Sequence, residues 1–114
     1  MTLDPSALDS YREFMGEDAQ AFIAEIIQSF LEAGPQLIQT AEQALQAGQQ
    51  ETFVRAVHTL KSNSATLGAT QLAALAAEME RKGKNEGLAG LETSLAEAKA
   101  ELVRVLEALK SKGG

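Results

Sequence analysis

The sequence predicts an all-α fold: an antiparallel four-helix bundle with a short additional N-terminal helix. Three observations carry that prediction. Apolar residues make up 45% of the 114 residues and are mostly Ala and Leu, with aromatics at 4%; such a composition favours helices packed on helices. Apolar positions recur in steps of three and four along most of the chain, which lines them up on one side of a helix. Glycines stand where the periodic stretches stop, at Gly16, Gly48, Gly68 and Gly83 to Gly87. The length suits one domain spanning residues 1–114.

The elements follow in order. Asp4-Pro5 reads as a helix start, with Asp as N-cap and Pro at the first helical position. A short helix runs to about Met15, with Leu8, Tyr11 and Met15 on one side, and Gly16 ends it. From about Glu17 to Ala47 the stripe is Ile23, Ile27, Phe30, Gly34, Leu37, Ala41 and Ala44, widened by Ile26, Ile38 and Leu45. Its phase passes through Gly34-Pro35 without a slip. One long helix, bent at Pro35, is therefore expected rather than two.

A third helix, about Gln50 to Leu67, carries Phe53, Ala56, Val57, Leu60, Ser64 and Leu67 on one stripe. Thr70 reads as the N-cap of a fourth, whose Leu72, Leu75, Ala76 and Met79 face inward. Gly83 to Gly87, rich in Gly, Lys and Asn, reads as a turn. The last helix is expected over about Leu88 to Leu109, with Leu88, Leu91, Leu95, Ala98, Leu102, Val105 and Leu109 as its seam. Short connections make successive helices antiparallel neighbours.

Composition also excludes function classes. The formal net charge is −6, so nucleic-acid binding is not expected as a main function, because phosphate neutralisation needs a basic face. No apolar run approaches the ~20 residues of a membrane span. Cysteine is absent, so there is neither a disulfide framework nor a thiolate metal site. Met1 to Ser10 lacks the basic-then-apolar layout of a signal peptide, and a cytoplasmic location is expected.

The chemistry concentrates in His58-Thr59-Leu60-Lys61-Ser62-Asn63-Ser64-Ala65-Thr66-Leu67-Gly68-Ala69. His58 is the only histidine. A lone imidazole cannot run a triad, and a single nitrogen ligand makes a poor metal site. It can accept a phosphoryl group and hand it on. At about 100° per residue, His58 lies beside the apolar stripe centred near Val57 and Leu60, so it is expected to be at least partly exposed. Ser62 and Ala65 are small and leave the ring unshielded. Lys61, one turn ahead, is within reach of a group carried on the imidazole, where an ammonium offsets the charge of a phosphoryl group.

That stretch resembles the signature of histidine-containing phosphotransfer domains: His, any residue, Leu or Ile, Lys, Gly, small residues, then Leu-Gly-Ala. His58, Leu60, Lys61, Ser64, Leu67, Gly68 and Ala69 match. Ser62 departs from the pattern, standing where the family's Gly lets an incoming receiver domain approach closely. Its hydroxyl is a possible donor to a phosphoryl oxygen, and its bulk a possible hindrance.

The resemblance implies that His58 is the phosphoacceptor, at the ring nitrogen farther from the backbone. It implies that Glu80 occupies the position near the histidine where relatives carry a polar residue. In the phosphorylation domains of chemotaxis kinases that residue is a glutamate bonded to the second ring nitrogen. Lys84 falls where some relatives are basic, although Arg81, Lys82 and Lys84 also suit a helix C-terminus.

The implied function is a phosphocarrier of a multistep two-component phosphorelay, passing a phosphoryl group between receiver-domain aspartates. Such a carrier is not itself an enzyme and needs no cofactor. The partner, a response-regulator receiver domain or a hybrid sensor histidine kinase, supplies Mg²⁺ and most of the catalytic groups. A monomer is expected, with Leu8, Tyr11, Met15 and Phe22 as candidate docking residues, of which only some are assigned to the partner and Leu8 and Tyr11 have capping of the bundle as an alternative role. Two alternatives stand beside this: a phosphoacceptor fed directly by a chemotaxis-type kinase, and a non-phosphorylated helical adaptor.

Overall fold

The computed structural model describes residues 3–113, which are helical almost throughout, with no strand among them. A 3₁₀ turn over Pro5–Leu8 leads into α1 (Asp9–Met15), and a second, Gly16–Asp18, leads into α2 (Ala19–Ala47). Then come α3 (Gln50–Thr66), α4 (Thr70–Asn85) and α5 (Leu91–Gly113). Helices α2 to α5 pack in a closed ring, each against its sequence neighbour and α5 back against α2. Connections of two to five residues leave each helix antiparallel to the next. The rod measures 46 × 23 × 21 Å.

The core is the periodic stripe read from sequence. Phe53, Val57 and Leu60 of α3 meet a common interior with Leu72, Ala76 and Met79 of α4, all at most 1% exposed. Burying a side chain of this size removes apolar surface worth about 1.5–3 kcal/mol. Helix α2 runs unbroken through Pro35, which lies on its exposed side. Gly34 lets α2 approach α5: a methyl group there would lie 3.1 Å from Leu102 Cδ1 and 3.3 Å from the Phe30 ring. Beyond it the fully buried residue is Ile38, while Leu37 is only half-buried.

Three boundaries differ from the sequence reading. Helix α4 does not stop at Gly83; it continues to Asn85. Gly83 is buried inside it, where an added Cβ would sit 3.0 Å from Val54 Cγ2 and 3.5 Å from the Phe53 ring. Close packing of α3 on α4 thus uses a glycine that composition alone reads as a turn. Helix α5 begins at Leu91 rather than Leu88, because Gly87 and Gly90 both take positive φ and hold Leu88 in a turn whose carbonyl accepts from Leu91 N–H. Thr70 is the first residue of α4, not its cap. Ala69 holds the cap position, with its N–H bonded to the Ser64 carbonyl at 2.9 Å.

The N-terminal segment closes one end of the bundle. Asp4 Oδ1 caps the first turn, accepting from Ser6 N–H at 3.0 Å and Ser6 Oγ at 2.8 Å. Asp4 N–H donates to the Gly68 carbonyl at 2.7 Å, which ties this segment to the α3–α4 connection. Leu3 and Leu8 are buried there. Tyr11 and Phe22 are only half-buried, with ring centroids 5.3 Å apart. Leu8 is thus part of the core, while Tyr11 and Met15 pack against it and, like Phe22, remain partly exposed.

Gly68 combines two demands that only glycine meets. Its φ is +77°, and a Cβ would fall 2.6 Å from the Asp4 carbonyl oxygen and 2.7 Å from Ala7 Cβ. Gly68→Ala is expected to lower stability by about 1–3 kcal/mol from backbone strain alone, with a further loss from the clash. Chemical denaturation of the variant measures this, and an unchanged midpoint would contradict it.

Candidate functional site

The site lies on the face that α3 and α4 share. Register between the two helices is set by the buried stripe, by Val54 against Gly83, and by a hydrogen bond from Gln50 Nε2 to the Gly83 carbonyl. That register brings α4's Glu80 opposite α3's His58 and Lys61, roughly 20 residues away in sequence. Nothing in the sequence marks Gln50 or Gly83 as site-building residues, because a Gln near a helix start and a Gly near a helix end are ordinary there.

Glu80 holds both partners with one carboxylate. Its Oε2 is 2.7 Å from His58 Nδ1, and its Oε1 accepts from Lys61 Nζ at 2.6 Å. The Glu80 side chain is 10% exposed, Lys61 35% and His58 55%. The carboxyl is held below its ordinary value first by the Lys61 hydrogen bond. Burial opposes this, and His58 adds to the lowering. Glu80 is therefore a carboxylate at neutral pH and offers only acceptor sites. A neutral His58 must then carry its proton on Nδ1, which leaves the Nε2 lone pair bare. The exposed ring thus presents a nucleophile at its outer nitrogen.

The other sequence-derived positions separate. Ser62, four residues after His58, is exposed, as is Ala65. Lys61 is not waiting in solvent beside the ring but is bound to Glu80. Lys84 is exposed in the last turn of α4 and makes no ion pair among the described residues. Its neighbour Arg81 pairs with Glu78 at 2.7 Å. Phe14, which the periodicity did not single out, is 92% exposed on α1.

The family model described as Hpt domain matches residues 25–112, which cover most of α2, all of α3 and α4 and nearly all of α5, with His58, Lys61, Ser62 and Glu80 among them. The chain belongs to the Hpt domain family. Its function is histidine phosphotransfer in two-component signalling. No curated protein matches it in sequence.

Two solved structures share the fold of this Hpt domain. Histidine-containing phosphotransfer protein B from Pseudomonas aeruginosa PAO1 superposes with a TM-score of 0.86 at 22% identity, covering 98% of this chain and 94% of that one. The HPT domain of a sensor hybrid histidine kinase from Shewanella gives 0.79 at 23% identity, covering 96% and 92%. At such identities the likeness establishes the bundle, and the site rests on this chain's own residues.

Two outcomes test the Glu80 geometry. In the wild-type Hpt domain, imidazole nitrogen NMR should find neutral His58 protonated at Nδ1. Glu80→Ala should shift that population toward the Nε2-protonated form, and identical spectra would remove Glu80 from the pair. The second outcome concerns acid. The folded carboxyl titrates below its ordinary value of 4.5, so its stabilising contribution is complete above that value. The contribution is lost as pH falls through the depressed one. Denaturation midpoints of wild type and Glu80→Ala should therefore differ at pH 6 and draw together as pH falls through the depressed value.

Proposed function

We propose that His58 is the phosphoacceptor of this Hpt domain, taking the phosphoryl group at Nε2. The observation that supports this most directly is the Nδ1–Glu80 contact at 2.7 Å, which leaves the outer nitrogen unprotonated on a half-exposed ring. The donor is the aspartyl phosphate of a receiver domain. In the transfer step the P–O bond to the aspartate breaks as the Nε2–P bond forms, and the aspartate leaves as a carboxylate. The Nδ1 proton stays on the ring. The imidazole becomes cationic as it is phosphorylated, and the Glu80 carboxylate stabilises that charge at close range. The reverse step returns the group to a second receiver by the same geometry.

Lys61 offsets phosphoryl charge, directly or through Glu80, and Lys84 adds positive charge on the neighbouring helix. Mg²⁺ and the remaining catalytic groups belong to the receiver, so this domain acts as a carrier rather than an enzyme. Among the described residues no group of three or more His, Cys, Asp or Glu side chains is placed to hold a metal ion. Among them, too, no helix is long and apolar enough to cross a membrane. The domain is proposed to work in the cytoplasm as a monomer, with the bundle seam closed on itself.

One observation favours a second reading. The His58–Glu80 pair matches the arrangement implied by resemblance to chemotaxis-kinase phosphorylation domains, which take phosphate directly from a kinase and ATP. The two readings separate by donor: a phosphorylated receiver in one assay, a kinase core with ATP in the other.

The deciding experiment is transfer of labelled phosphate from a phosphorylated receiver to wild type and His58→Gln. Wild type should take up acid-labile, alkali-stable label and His58→Gln none, with equal helicity by circular dichroism. Label on the variant would show that another residue is the acceptor. Label on neither protein, from any of several receivers or from a kinase, would favour the adaptor reading. Lys61→Ala should slow transfer roughly tenfold, equivalent to about 1.4 kcal/mol of barrier. An unchanged rate would take Lys61 out of the mechanism.

A further inference from the structure

Ser62 is the position at which this chain departs from the motif it resembles, and its side chain is exposed beside His58. The phosphoryl group arrives at Nε2. Nδ1 of His58 faces Glu80 on α4, so the ring edge bearing Nε2 is turned up and away from α4. On a helix, Lys61 lies about 60° from His58 on one side and Ser62 about 40° on the other. The α4 side is Lys61's, because its Nζ reaches Glu80, and the same flank carries Val54 against Gly83. Ser62 therefore stands on the flank toward which Nε2 points.

Direction along the helix selects the same residue. Helical side chains lean toward the N-terminus, so a residue at i+4 covers the turn that holds residue i. Ser62 leans over His58. Arg55, on the same flank but at i−3, leans the other way, toward Glu51 at 3.3 Å.

The hydroxyls beside Ser62 are already used. Thr59 Oγ1 donates to the Arg55 carbonyl and Thr66 Oγ1 to the Ser62 carbonyl, each at 3.1 Å. Ser62 is exposed, and its Oγ has no hydrogen-bond partner among the described residues. Lys61, the charged donor of this turn, directs one N–H to Glu80 on the opposite flank. The turn after His58 thus offers one uncommitted neutral donor, on the side where the phosphoryl oxygens will sit.

We propose that the Ser62 hydroxyl donates a hydrogen bond to a phosphoryl oxygen on His58 Nε2, and so is a phosphate-contacting residue of the phosphorylated carrier. This rests on His58 being the acceptor. A donor to the more highly charged phosphoryl form lowers that group's last titration. A residue that merely leaves room for a partner has no such effect.

The experiment needs no partner protein. Wild type, Ser62→Ala and Ser62→Gly are phosphorylated with the small-molecule donor phosphoramidate and titrated by phosphorus NMR. Alanine removes only the hydroxyl and glycine removes Cβ as well, and position 62 is exposed, so both variants should fold. Both should show the phosphoryl midpoint raised by about half a pH unit relative to wild type, with no difference between them. Midpoints equal to wild type in both variants would overturn the contact while leaving His58 as acceptor. A shift in Ser62→Gly alone would also overturn it, because the effect would then belong to bulk. Absence of a phosphohistidine resonance in all three proteins would bring down the acceptor assignment itself, and this proposal with it.

Discussion

Glu80 is a charge nearly removed from water, and the face of α3 and α4 that carries the chemistry is organised around that fact. A buried carboxylate is tolerated only when paired and hydrogen-bonded. Here the two partners are the side chains that the phosphotransfer motif places on α3, His58 and Lys61. Each needs the other contact to be present. Lys61 keeps the carboxyl ionised despite burial. The ionised carboxyl then imposes the His58 tautomer that exposes a bare Nε2. Remove the lysine and the carboxylate is left with an exposed imidazole as its only partner. Remove the carboxylate and the imidazole is free to hold its proton at either nitrogen.

That triad depends on helix register, and register depends on packing far from any charge. Phe53, Val57 and Leu60 interlock with Leu72, Ala76 and Met79, and Gly83 allows α4 to lie close against Val54. A larger side chain at 83 would move α4 away from α3 just one turn from Glu80. At the opposite end Gly68 makes the tight passage from α3 into α4 while accepting from Asp4 N–H. The site is therefore held between two glycines, one at each end of the α3–α4 pair. That arrangement fixes the orientation of the His58 ring relative to Glu80.

The shared carboxylate also distributes labour on α3. Lys61 sits on the α4 side of the histidine and Ser62 on the open side. The ion-paired ammonium thus lies on one flank of His58 and a neutral hydroxyl on the other. A glycine at position 62 would leave that second flank open. The serine trades some of that room for a hydroxyl with no other partner among the described residues.

Periodicity and motif by themselves determined the all-α class, the long second helix through Pro35, the buried stripe of α3 and the choice of His58. These depend on local spacing, which repeats along one helix and is visible in one dimension. Gly68 was legible as a stop signal, though not as the seat of Asp4. What the tertiary structure alone decided was contact between helices. It made Glu80 a shared partner rather than a solvated glutamate, and bound Lys61 rather than leaving it free. It also kept Gly83 inside α4 and buried Leu8 at the end of the bundle. In each case the sequence around the residue is compatible with either state. The choice follows from which side chain on another helix fills the space beside it, and that depends on the register of the packed core.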